Sequence, residues 1–147
     1  MGGAHVVDLF AGTGALGLEA LSRGAASSVF VESSKHALVS LRANIAALRV
    51  DDCSRVIPQP FSKAPLAGIP CDLLFVDPPY ALYDSKEDAS AIVRVVDALG
   101  WQSKGWAVFE HAKKQDLARL FEFRRAFSMM SRDIGDTTLT FLEFVDT

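Results

Sequence analysis

Short apolar runs alternate with helically spaced apolar positions from the start of the chain. "HVVDLF" (5–10) reads as a strand, and a glycine-rich loop follows it at once. Residues 15–23 have helical character, and Gly24 stands where a helix-stopping residue belongs. "SVFVE" (28–32) is a second strand. Ser33 or Ser34 can cap the helix after it, whose apolar stripe is Leu38, Leu41, Ile45 and Leu48. "RVIPQ" (55–59) is a weaker third strand, and Pro58 favours an edge position for it. "CDLLFVD" (71–77) stays apolar until its last residue apart from Asp72, as in a central parallel strand covered on both faces. Ile92, Val95, Val96 and Leu99 mark a helix, "GWAVFEH" (105–111) a fifth strand, and Leu117, Leu120 and Phe121 a further helix. The tail (127–145) reads instead as two strands reversing around Gly135-Asp136. There Thr138, Thr140 and Leu142 alternate against Leu139, Phe141 and Glu143. The pattern predicts an α/β fold: a mostly parallel sheet, helices on both faces and a closing antiparallel hairpin.

Composition narrows this picture only a little. The 147 residues fit a single domain, and half of them are hydrophobic, enough for a real core. No apolar run is long enough to span a bilayer, and no basic leader precedes a hydrophobic segment, so no membrane partner is expected. Cys53 and Cys71 have neither C-x-x-C nor metal spacing; they are expected to be reduced, buried thiols of a cytoplasmic protein that holds no metal. A net charge of −3 argues against a broad electrostatic grip on nucleic acid, though a local basic face is compatible with it.

The loop "DLFAGTGALG" contains G-x-G-x-x-G at Gly12, Gly14 and Gly17. Ligands of open α/β sheets lie beyond the C-terminal ends of the strands, where strand order reverses. That places the loop, Glu32, the 60–63 segment and Asp77 along one crevice. Glu32 ends the second strand, and a carboxylate there suits the ribose of either NAD or S-adenosylmethionine. Asp8 bears on the choice: an acidic side chain at the strand end repels a pyrophosphate but accepts hydrogen bonds from an ammonium. S-adenosylmethionine carries an ammonium and a sulfonium and no phosphate, so it is the expected cofactor. NAD and a ligand-free glycine turn are the alternatives.

"DPPY", Asp77 to Tyr80, directly follows the buried fourth strand. An amino nitrogen conjugated to a base is a poor nucleophile, because its lone pair is delocalised. The Asp77 carboxylate and the Pro78 carbonyl can each accept one of its hydrogens, which orients the nitrogen and favours lone-pair density toward an incoming methyl. Pro78 and Pro79 fix the backbone and remove competing N–H donors. Tyr80 offers a flat face for a flipped base. The plainer reading, a Pro-Pro turn with a buried tyrosine, does not account for the glycine loop on the first strand.

Together, "DLFAGTGALGLEALSRGA", "VFVE", "FVDPPY" and "GDTTLTFLEF" resemble class I S-adenosylmethionine-dependent methyltransferases, more narrowly the bacterial guanine-N2 methyltransferases of 16S ribosomal RNA. The resemblance runs over nearly the whole chain. It implies a Rossmann-like, seven-stranded sheet over residues 1–147, and transfer of a methyl group to the exocyclic N2 amine of a guanine in the small ribosomal subunit or its assembly intermediate. It also implies that Asp8, Phe10, Ala11, Gly12, Thr13 and Gly14 meet the amino-acid end of the cofactor. Glu32 would then bind the ribose, with Ser33 beside the adenine, and Asp77 to Tyr80 would hold the target base. An adenine-N6 enzyme acting on RNA or DNA is an alternative, since DPPY grips either amine alike.

Two departures qualify the resemblance. The family's basic segment before the first strand is absent from these residues, so a cofactor-binding fragment with little activity alone is a further alternative. Where an acidic residue commonly follows the third strand, this chain has "PFSKA", with Phe61 expected to pack on adenine and Ser62 to hydrogen-bond it. A monomer is expected. Lys113, Lys114, Arg119, Arg124 and Arg125 read either as a phosphate-contacting patch or as a solvated face. Tyr83 and Lys86 read as a substrate-covering loop or a simple connection. His111 reads as a border of the crevice or a filler, and His5 and His36 as fillers.

Overall fold

The computed structural model describes residues 2–125 and 127–144, with nothing stated of the Ser103 side chain. Among the described residues seven strands form one sheet: β1 (His5–Asp8), β2 (Ser27–Val31), β3 (Ser54–Ile57), β4 (Pro70–Val76), β5 (Gly100–Ala112), β6 (Phe127–Ile134) and β7 (Thr137–Phe144). The helices are α1 (Ala15–Ser22), α2 (Lys35–Ala47), α3 (Lys86–Ala98) and a single turn, α4 (Leu117–Leu120). The strand order is β3-β2-β1-β4-β5-β7-β6. Neighbours from β3 to β5 are parallel, and β7 runs antiparallel to both β5 and β6. After β1 the chain moves outward to β2 and β3, then returns across β1 to place β4 on its other side. The order therefore reverses between β1 and β4, and their C-terminal ends open a crevice.

Alternating strand residues feed two cores. Phe30 of β2 packs with Leu18 of α1 and Leu38, Leu41 and Ile45 of α2. Its neighbours Val29 and Val31 join the larger cluster of Val7, Leu74, Val76, Ile92, Val96, Phe109 and Phe144 on the other face. Val6, Val7, Leu74 and Val76 are at most 1% exposed, as a strand covered on both faces requires. An aromatic group built on Phe109, Phe121, Phe123, Phe127 and Phe144 holds the hairpin to this core, with neighbouring ring centroids 5.4–6.3 Å apart.

Most predicted elements stand where the pattern puts them, and the exceptions have local causes. Leu48 caps α2 instead of extending its stripe and is 58% exposed. The strand predicted over 105–111 starts at Gly100, because Gly100 and Trp101 pair with Pro70 and Cys71 of β4 ahead of a register irregularity before Trp106; a Cβ at Gly105 would overlap the Trp101 ring. Phe121 sits just beyond the one-turn α4 but is buried as expected. Cys71 is buried, whereas Cys53 is half-buried and donates its thiol to the Val50 carbonyl. Val145, the last residue of the predicted hairpin, lies outside the described residues.

The third glycine of the loop serves packing. Gly17 lies within α1 over β2, where an added Cβ would collide with the Phe30 ring and meet Ser28 Oγ at 2.7 Å. Alanine is a better helix former than glycine by roughly 1 kcal/mol, so helix propensity alone predicts that Gly17→Ala stabilises. Overpacking against a buried ring should reverse the sign, for a loss of about 1–3 kcal/mol in urea unfolding. A more stable variant would show that α1 and β2 are free to move apart.

Candidate active site

Asp8 ends β1 and is 1% exposed. Its Oδ2 accepts the Gly17 N–H at 3.1 Å, while the buried Oδ1 has no hydrogen-bond partner among the described residues. Burial raises the carboxyl from 3.8 to about 7; the Gly17 N–H opposes this, and the charges of Asp77 and Glu32 add to it. The chain then turns through Gly12 (φ 57°) and Gly14 (φ 94°), left-handed conformations that glycine adopts without strain. A Cβ on Gly14 would strike Leu41, so Gly14 seats α1 against α2; a Cβ on Gly12 would meet only open space.

Glu32 follows β2 and ties this loop to the next helix. Its Oε1 accepts the Gly12 N–H at 2.7 Å, and Oε2 accepts the Ser33 and Ser34 N–H groups at 2.9 and 2.8 Å. Three of a carboxylate's roughly four acceptor positions are thus engaged. Gly12, Glu32, Ser33, Phe10 and Phe61 line a cleft of about 510 Å³ with Asp77, Pro78, Pro79 and Leu82. The Phe10 and Phe61 rings stand 4.9 Å apart at its edge.

Asp77 lies at the other end of the cleft, one residue past β4. Burial raises its carboxyl from 3.8 to about 6, and Glu110 of β5, both as a nearby charge and as a hydrogen-bond partner, pushes the same way. Tyr80 opens a short turn, Tyr80–Asp84, that is fastened at several points. Its hydroxyl lies 2.8 Å from Thr137 Oγ1 and donates to Glu110 Oε1 at 3.4 Å, while its carbonyl accepts Gln115 Nε2 at 2.8 Å. Tyr83 is 1% exposed and donates its hydroxyl to the Glu110 carbonyl at 2.7 Å.

A cleft between a glycine loop and a proline-bound carboxylate, at the strand reversal, invites comparison with known proteins. Residues 1–143 match the family Conserved hypothetical protein 95. The chain belongs to that family. It is 40% identical over 77 residues to the ribosomal RNA small subunit methyltransferase D of Escherichia coli K12, a match covering 52% of this chain and 39% of the relative. Against the protein of the same name from Buchnera aphidicola (Acyrthosiphon pisum strain APS) it is 30% identical over 113 residues, 76% of this chain and 57% of the relative. The matches therefore span about two-fifths to three-fifths of these curated relatives. A solved structure of a conserved hypothetical protein from Streptococcus pyogenes has a TM-score of 0.84 at 26% identity, covering 98% of this chain and 88% of that one. The fold is the Rossmann-like methyltransferase fold that the sequence resembles.

Within this family member the predicted site residues fall into three groups. Phe10, Gly12, Glu32, Ser33, Phe61, Asp77, Pro78 and Pro79 line one cleft. Asp8, Ala11 and Gly14 are buried behind it; the Ala11 N–H is bonded to the Val31 carbonyl. Thr13, Ser62 and Tyr80 stand outside, Tyr80 half-buried with its hydroxyl on Thr137. Thr13 is exposed and accepts Asn44 Nδ2 through its carbonyl, and Ser62 lines a separate hollow with Leu66, Ala91 and Arg94. Ser62 is one position past Phe61 on a turn, so the two point to different sides.

Tyr83 is a buried anchor, and Lys86 begins a helix capped by Ser85, so neither lies in a loose loop. His111 is buried and bonds Thr140 Oγ1 at 2.7 Å. Lys113 and Arg119 face their own acids, Asp133 at 3.8 Å and Asp116 at 3.6 Å. Sequence reasoning missed Glu110, Thr137 and Gln115; only the position of Glu110 beside the fifth strand's end hinted at one of them.

Asp8 makes stability depend on pH. Its folded carboxyl titrates near 7 and its unfolded one near 3.8, so the folded state holds the proton more tightly. The contribution is complete below about pH 4 and is lost as pH rises through 7. Asp8→Asn keeps the shape and removes the titration. Between pH 5 and pH 8 the ligand-free wild type should lose about 2–3 kcal/mol of stability relative to this variant. Parallel urea curves for the two proteins at both pH values would contradict the assignment.

Proposed function

We propose that this chain binds S-adenosylmethionine in the cleft and transfers its methyl group to the exocyclic N2 amine of a guanine in 16S ribosomal RNA. The observation that carries the reading is the placement of Gly12 and Glu32 at one end of a continuous cleft and Asp77-Pro78-Pro79 at the other. Around it, Asp8 bears a buried carboxyl oxygen with no partner among the described residues, next to the glycine loop. Such an atom fits an ammonium-bearing guest and opposes a pyrophosphate. Open space in front of Gly12 and the Phe10–Phe61 pair suit the amino-acid end and the flat adenine of that cofactor. Glu32 has one acceptor position left, so a ribose hydroxyl would add a fourth bond or displace a backbone one.

The bound cofactor supplies an electrophilic methyl group on a sulfonium. The protein's work is to hold the amine. The Asp77 carboxylate and the Pro78 carbonyl accept its two hydrogens, and the positive charge that grows on nitrogen develops next to Asp77. Asp77 titrates near 6, so it is mostly ionised at neutral pH and can accept a hydrogen. Methylation should fall as pH drops below about 6. The names of the relatives support ribosomal RNA as substrate, and the chemistry of the two motifs supports an amine as target.

Calorimetry tests the two ends of the cleft separately. S-adenosylhomocysteine should bind and NAD should not. Glu32→Ala should weaken S-adenosylhomocysteine binding by about 1–3 kcal/mol, the cost of losing hydrogen bonds to a charged group. Asp77→Ala should leave that binding nearly intact while abolishing methylation of small-subunit particles from a strain lacking the modification. The reverse pattern would show that the cleft is read from the wrong end.

A further inference from the structure

Glu110 stands third from the C-terminal end of β5, next to Asp77 at the end of β4. It is half-buried. Its main chain is pinned by the Tyr83 hydroxyl, and its side chain sits between the Asp77 carboxyl and the Tyr80 hydroxyl. Tyr80 is itself held by Thr137 and Gln115. Two carboxyl groups are thus fixed side by side, next to the prolines that would hold a target amine. Such a pair costs stability unless hydrogen donors meet it.

Purine edges differ in what they offer such a pair. Guanine presents N1–H beside its N2 amine, two adjacent donors. Adenine presents an amine beside an unprotonated N1, which is an acceptor. If Asp77 takes the amine hydrogen on the N1 side and the Pro78 carbonyl takes the other, the acceptor beside Asp77 meets the ring N1. A carboxylate there is bonded by guanine and repelled by adenine.

Building on the methyl-transfer reading above, we infer that Glu110 is the residue that selects guanine, accepting N1–H while Asp77 and Pro78 hold the amine. Its neighbours serve this role. Tyr80 and Tyr83 keep the carboxylate in place, so the preference comes from a preset acceptor. Glutamine at this position can instead turn its amide N–H toward a ring nitrogen, so Glu110→Gln should relax the choice.

The test needs a base that keeps the 2-amine and lacks the N1–H. 2-Aminopurine keeps the 2-amine but has no N1–H and lacks the 6-oxygen. The methylated nucleotide is first mapped in small-subunit particles treated with the wild-type chain. RNA fragments carrying either guanine or 2-aminopurine at that position are then compared. The wild type should prefer guanine by about 10-fold or more in kcat/KM, the loss expected for a hydrogen bond to a charged group. Glu110→Gln should bring the ratio within about threefold while S-adenosylhomocysteine binding stays at the wild-type level, which also shows the variant is folded. Glu110→Asp, which keeps a carboxylate, should retain a clear preference for guanine. A Glu110→Gln ratio equal to that of the wild type would overturn the role of Glu110 while leaving guanine methylation standing. Product found only on adenine, or no methylated base, would overturn the functional reading and this inference with it.

Discussion

Carboxylates crowd the edge where the strand order reverses, and the rest of the site depends on that crowding. Asp8 and Asp77 end neighbouring parallel strands, Glu32 follows the next strand on one side, and Glu110 lies on the next strand on the other. Each raises the cost of ionising another. The ligand-free chain meets part of that cost by lifting Asp8 to about 7 and Asp77 to about 6, and by giving Glu32 three backbone N–H groups. A guest that brings positive charge and hydrogen donors relieves the remainder. A cationic methyl donor and an amine-bearing base are guests of that kind, and a dinucleotide pyrophosphate is not.

The closing hairpin does more than extend the sheet. Because β7 runs antiparallel to β5, its first residues lie beside the last residues of β5, with Thr137 opposite Ala112 and Leu139 opposite Glu110. That register delivers the Thr137 hydroxyl to Tyr80. A parallel strand in the same position would have brought its other end to the site. The turn after the two prolines is thereby fastened to three separate elements, β5, β7 and the segment before α4.

The elements of the sheet were legible in the sequence because strands buried on both faces and helices with one apolar stripe leave different periods. Their ends were less so. Gly100 and Trp101 lengthen β5 by pairing with Pro70 and Cys71 across a register irregularity, and Leu48 is apolar for reasons that the α2 stripe does not explain. In the site, most residues that line the cleft lie in or beside stretches local in sequence, DLFAGTG, Glu32, the 60–63 segment and DPPY, while Gln59 and Leu82 were not singled out. The supports lie in none of these. Glu110, Gln115 and Thr137 act on Tyr80 from 30, 35 and 57 residues away, and nothing in their local sequence announces the contact. Gly17 fits the ligand-binding pattern by spacing yet serves packing on Phe30, a role visible only once α1 lies on β2.

A crystal structure of the chain with S-adenosylhomocysteine tests the central claim most directly, since the claim concerns one cleft at one strand reversal. The ribose should lie within hydrogen-bonding distance of Glu32, the amino-acid end against Gly12 and near Asp8, and the sulfur toward Asp77 and Pro78. A ligand bound elsewhere on the sheet, or lying in this cleft with its ribose away from Glu32, would contradict the account.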